Sequence, residues 1–180
     1  MNIVRTGVLA LGLFAVVPAF AQTAPAPPPL AVPAPTYVSV VQEVTINRPA
    51  ADVWARIGRY CAITEWLGPP CVITAGVEGE LGAVRTLNGT TVEILVAKTP
   101  LSYTYTQPVR VGAPYNLYHG SLEARPVTAK TSKLVYSLIW DNSMLPDDAA
   151  REKDKTGRAT RFMAALEKMK TIVESNATRR

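Results

Sequence analysis

Residues 44–66, VTINRPAADVWARIGRYCAITEW, constrain this chain more than any other stretch. Val44 and Ile46 alternate with Thr45 and Asn47, the period of a strand with one buried face. Pro49 ends that ladder, because proline has no N–H to donate and a locked φ. The same proline suits a helix start, where its missing donor goes unused. Val53, Trp54 and Ile57 then share one helical face. A strand, a proline corner and a short helix carrying a tryptophan leave few architectures open.

The segment before this is a different material. Residues 1–21 read as a secretory signal: Arg5 supplies the positive start, residues 8–17 the apolar core, Pro18 a break and Ala19-Phe20-Ala21 the small cleavage residues. An uncleaved anchor is the competing reading, but a bilayer span takes about 20 apolar residues and this core is shorter. With the signal removed, no stable membrane span is expected, and the folded part is placed in a periplasm or outside the cell. Residues 22–36, QTAPAPPPLAVPAPT, carry no charge and favour extended polyproline geometry, so they read as a linker. Residues 37–176 are one domain's worth of chain, and 177–180 form a short tail.

Removing the signal lowers the basic residues from 19 to 18 against 14 acids, a mature charge of +4. Those basic residues are dispersed. Nucleic-acid binding requires a positive stripe with aromatics among it, and none is visible. Cys61 and Cys71 are the two cysteines of the chain and flank a tight excursion ending in Gly68-Pro69-Pro70. In an oxidising compartment they are expected to pair; two buried free thiols are the alternative. A single histidine, His119, argues against a His-rich metal site. No metal and no cofactor is expected, and no phosphate loop, dinucleotide fingerprint or G-x-S-x-G elbow occurs.

After Pro70 come six expected strands with turn signals between them: 71–75, 83–87, 91–97, 101–107, 115–125 and 132–141. Asn88-Gly89 is the strongest hairpin signal. Leu134, Tyr136, Leu138 and Trp140 share one strand face. The remainder is helix, with Pro146 as a good first residue and Asp147 and Asp148 where the helix dipole favours acids. Phe162, Met163, Leu166, Met169 and Val173 form an apolar stripe, and Gly157 is a candidate kink. The stripe needs a partner, and an antiparallel sheet is the one large enough. The fold class is therefore α+β: a curved antiparallel sheet of about seven strands around a long C-terminal helix, with two short helices after the first strand.

VTINRPAADVWARIGRY, the Trp66 segment, GELGAVRTLNG and the terminal helix together resemble the START-like, Bet v 1-like superfamily, in its polyketide cyclase/dehydrase (SRPBCC) branch. The resemblance covers residues 37–176. It implies a helix-grip fold with a deep, mostly apolar cavity between sheet and helix, and members that bind lipids, hormones, polyketides or flavonoid-like compounds. A minority catalyse cyclisation, dehydration or hydrolysis. In related receptors a loop after GxVR gates the ligand; here it is only Leu87-Asn88-Gly89-Thr90, too short for a moving lid.

The candidate cavity wall is aromatic: Trp66, Tyr103, Tyr105, Tyr115, Tyr118, Tyr136 and Trp140, with Phe162, Met163 and Leu166 from the helix. Each competes with plain core packing. Arg85 is a candidate ligand anchor, against the reading that it pairs with Glu93 across the hairpin. His119 and Tyr118 are the candidate acid–base residues, histidine because its ordinary pKa suits proton transfer near neutrality. If Tyr115 and Leu117 point inward, period two sends His119 inward; if Tyr118 points inward, His119 faces out. Three functions follow: an exported carrier of a hydrophobic or aromatic small molecule, a cyclase/dehydratase acting on a polyketide-like substrate, or a domain that docks by its surface. Oligomeric state is not legible.

Overall fold

The computed structural model describes residues 34–110 and 112–175. The expected signal segment 1–21, most of the linker 22–36 and the tail 177–180 lie outside the described residues. Among the described residues no helix is long and apolar enough to cross a membrane.

The elements run β1 (Tyr37–Ile46), α1 (Ala50–Ile57), a 3-10 turn (Tyr60–Ala62), α2 (Ile63–Trp66), β2 (Cys71–Ala75), β3 (Val84–Leu87), β4 (Thr91–Thr99), β5 (Ser102–Thr106), β6 (Asn116–Pro126), β7 (Ser132–Asp141) and α3 (Asp148–Ser175). The seven strands form one sheet in the order β1-β7-β6-β5-β4-β3-β2. Every pairing is antiparallel. Strands β2 to β7 are therefore a plain meander, and β1 closes its far edge against β7. The proline corner and the short helices carry the chain from one edge of the sheet to the other. This is the expected helix-grip architecture.

Irregularities in the ladders, between Ile73 and Ala75, Leu95 and Ala97, and Asn116 and His119, bend the sheet. α3 lies across the sheet's inner face and buries Phe162, Ala165, Leu166, Met169 and Val173. Leu166 and Met169 are fully excluded from solvent. The hairpin expected at Asn88-Gly89 forms, with both residues at positive φ (50° and 68°), the turn hand that matches twisted strands, and Thr90 as a third loop residue before the Leu87–Thr91 pair.

Two local expectations change. The helix starts at Asp148, because the Asp147 carboxylate accepts the Ala150 N–H at 2.7 Å and caps the first turn; Pro146 sits outside it. Gly157 makes no kink, and α3 runs through it unbroken. Cys61 and Cys71 are joined in a disulfide with a Cα–Cα distance of 5.5 Å, tying the 3-10 turn to the first residue of β2.

Candidate ligand pocket

Toward the β2 edge of the sheet stands a buried ion pair. Arg85 on β3 and Glu93 on β4 are register partners, and the Arg85 Nε donates to Glu93 Oε2 at 2.7 Å. Arg85 also donates to the Tyr60 carbonyl. Its guanidinium lies 4.1 Å from the Tyr60 ring centroid, 4.9 Å from Tyr105 and 5.7 Å from Tyr103, so rings replace water around the charge. Burial alone would pull the Arg85 pKa down, but the Tyr103 phenol and the Glu93 carboxylate outweigh it and the net direction is up. Arg85 is thus a fixed cation with its carboxylate partner. The hairpin supplies the cross-strand pair, and tertiary burial makes it an interior pillar.

Two hollows flank this pillar. The first, of about 170 Å³, lies beneath α3 and is lined by Ile63, Leu87, Glu93, Tyr105, Gln107, Tyr115, Tyr118, Arg158, Arg161 and Phe162, among others. The second, about 490 Å³ and more open, lies beneath α1, between Trp54, Tyr60, Leu95 and Tyr103. Glu93 and Tyr105 face the first, and Tyr60 and Tyr103 the second.

In the first hollow the polar groups form a chain. Tyr115 donates its hydroxyl to Gln107 Oε1 at 2.6 Å, and Gln107 Nε2 donates to Glu93 Oε1 at 3.0 Å. Glu93 so receives a cation on one oxygen and an amide on the other. Deeper in, the Tyr105 and Tyr136 hydroxyls are 2.9 Å apart. Tyr105 can lie flat across β6 because its register partner is Gly120: a Cβ there would sit 2.4 Å from the phenol. Over the mouth, Asp154 of α3 accepts from Trp140 Nε1 at 2.8 Å and from Arg158 Nε at 3.0 Å. That holds the Arg158 guanidinium 4.4 Å from the Tyr115 centroid, 5.1 Å from Trp140 and 5.2 Å from Tyr118.

The buried phenols are held protonated. Burial pushes Tyr118 up to about 12, with Arg158 opposing the shift. Burial likewise raises Tyr60, Tyr103, Tyr105 and Tyr136 above the ordinary phenol value.

The candidates named from sequence divide. Tyr105, Tyr115, Tyr118 and Phe162 line the first hollow, and Tyr103 the second. Trp66, Tyr136, Trp140 and Leu166 are fully or almost fully buried in the core and line neither, and Met163 packs against that core at its edge. Arg85 also lines neither; it acts through Glu93 and the rings. His119 takes the outward branch: it lies opposite Thr106 and Ile139 on the half-exposed face of β6, with Nδ1 3.0 Å from the Leu117 carbonyl. It does not reach the hollow that Tyr118 faces, so the two form no acid–base pair.

Strict alternation fails between Tyr115 and Tyr118. The bulge at Asn116–His119 puts Leu117 at φ 48° and brings both tyrosines to one face, centroids 5.4 Å apart. The hollow is also smaller and more polar than a deep apolar cavity, because large rings fill most of the interior. Glu93, Gln107, Arg158 and Arg161 were not singled out as its lining. Glu93 was visible as Arg85's partner, but the α3 arginines look like any solvated helix face, and nothing in their spacing sets them apart.

A model of the family described as polyketide cyclase/dehydrase and lipid transport matches residues 37–174. Among solved structures, a Nitrosospira multiformis protein is 23% identical with a TM-score of 0.61, over 79% of this chain and 100% of its own. The Zhui aromatase/cyclase from Streptomyces sp. R1128 is 17% identical with a TM-score of 0.59, over 79% and 96%. Ara h 8.0201 is 15% identical with a TM-score of 0.57, over 78% and 99%. At these identities the likenesses show the fold. None of the curated proteins compared with the chain matches it.

Proposed function

The chain belongs to the polyketide cyclase/dehydrase and lipid transport family, and from that membership we propose that it is an exported carrier that holds one small aromatic molecule under α3. The observation that carries this reading is the 170 Å³ hollow roofed by α3 and walled by Tyr105, Tyr115, Tyr118 and Phe162. A cavity of about 150 Å³ in a packed interior accepts benzene, so this one suits a single ring. Small-molecule sites are typically apolar with a few placed polar groups, and here the Tyr115–Gln107–Glu93 chain and the mouth arginines provide them.

Carriage is favoured over cyclase or dehydratase chemistry by the state of the polar groups. Glu93 is engaged by Arg85 and Gln107. The phenols are pushed above the range where they would exchange protons at neutral pH. General acid–base work calls for a group whose pKa lies near the operating pH. The disulfide suits the export reading, since such bonds persist in oxidising compartments.

Native mass spectrometry of the protein purified from its own host tests the proposal. The expected spectrum contains a species heavier than the mature chain by one small-molecule mass, released under mild activation. A bare mass repeated across growth conditions overturns it.

A further inference from the structure

We propose that the occupant of this pocket is an aromatic acid, seated ring-inward with its carboxylate at Arg158 and Arg161. This rests on the carrier reading and narrows it to a ligand class.

The argument starts from how Arg158 is held. Of its donors only Nε has a protein acceptor, Asp154 Oδ1. The remaining guanidinium N–H groups meet no acceptor among the described residues, while the side chain is only 19% exposed. The rings of Tyr115, Tyr118 and Trp140 surround the cation and limit its movement. Asp154 is itself anchored by the indole N–H of Trp140. A guanidinium so pinned presents its free edge as a preformed fork, the geometry that matches a carboxylate. One turn further along α3, Arg161 lines the same hollow, is exposed, and has no ion pair among the described residues.

Charge accounting points the same way. Glu93 is matched by Arg85 and Asp154 by Arg158, which leaves Arg161 as net positive charge at the mouth. A neutral ring would fill the hollow and leave the free Arg158 donors to water alone, with no charged partner. A cationic ligand would bring like charge to the two arginines. An aromatic acid satisfies both the ring walls and the donors, exchanging the water on Arg158 for a charge-assisted fork.

Calorimetric titration of the full chain with benzoate and with benzamide, two probes of nearly equal shape, isolates the charge. Benzoate is expected to bind about tenfold or more tightly than benzamide, the scale of one charge-assisted fork over a neutral contact. Arg161→Gln alters an exposed side chain and leaves folding untouched; it should weaken benzoate several-fold and leave benzamide unchanged. Arg158→Gln should abolish the preference, and Arg158→Lys should restore only part of it. Equal binding of the two probes, or a preference unmoved by both glutamine variants, overturns the aromatic-acid assignment while the carrier reading stands. Binding of neither probe removes the pocket itself, and this inference with it.

Discussion

The two halves of α3 belong to one unbroken helix and do different work. From Phe162 onward its inward side chains are Phe162, Ala165, Leu166, Met169 and Val173, all buried. Phe162 packs on Tyr136 with centroids 4.5 Å apart, and Tyr136 in turn meets Trp66 at 6.1 Å. Between Asp148 and Arg161 the side chains facing the sheet are Arg151, Asp154 and Arg158, half-buried and hydrogen-bonded. The C-terminal half is held by exclusion of water, which is non-directional and tolerant of shape. The N-terminal half is held by directed polar contacts over a hollow. The stability of the first frees the second to keep donors available.

The sharpest probe of this contrast is alkali. A phenol whose pKa is raised on folding stays protonated in the native state while the unfolded chain ionises, so stability falls as pH rises above the unfolded value of 10.0. Each such phenol contributes about 1.4 kcal/mol of loss per pH unit until its folded pKa is reached. Tyr118, under the open half and beside Arg158, is expected to ionise near pH 12. Tyr136, under the packed half, is raised further and should ionise only on unfolding. Tyrosinate absorbance followed alongside circular dichroism checks this: a Tyr118→Phe variant should remove any signal that precedes unfolding, and Tyr136→Phe should not.

Glu93→Ala breaks the comparison from the pocket side. It leaves Arg85 buried without its carboxylate, which costs about 3–5 kcal/mol. Denaturant unfolding should show that loss even though Glu93 lines the hollow. A cost under about 1 kcal/mol, the level of an exposed pair, would mean that water reaches the pillar.

Leu166→Ala and Arg158→Gln then separate the halves directly. Leu166 is fully buried, and its truncation should cost about 2–5 kcal/mol with little change in benzoate selectivity. Arg158→Gln should do the reverse, with a stability change of about 1 kcal/mol or less. Equal stability costs from the two would erase the distinction. The smallest effect expected is from Gly157→Ala. A Cβ there meets nothing within 4 Å, and alanine favours helix over glycine by about 1 kcal/mol. A modest rise in Tm is expected, with benzoate affinity unchanged.

Most of the fold was legible because it is written in short-range periodicities. The Asn88-Gly89 turn, the alternation of Leu134, Tyr136, Leu138 and Trp140, and the stripe from Phe162 to Val173 each specify an element and its buried face. Their sum admits few layer arrangements. The site was legible only in part. Tyr105 and Phe162 reach the hollow and Trp66 and Trp140 do not, yet all four obey the same inward periodicity. The difference lies in which neighbours fill the space, and no local pattern encodes that. His119 and Tyr115 show the other limit: one bulge at Leu117 switched the parity on which their orientation depended.

The amino-acid order by itself determined the strands, the helix faces, the proline corner and the hairpin that sets Arg85 opposite Glu93, since each follows from backbone geometry over a few residues. Tertiary structure alone decided that the two meet as a buried ion pair, that a ring-sized hollow stays beneath α3, and that Arg158, held by Asp154, lines it. Those outcomes depend on distances between elements far apart in the chain, where burial changes what a charge or a hydroxyl is worth.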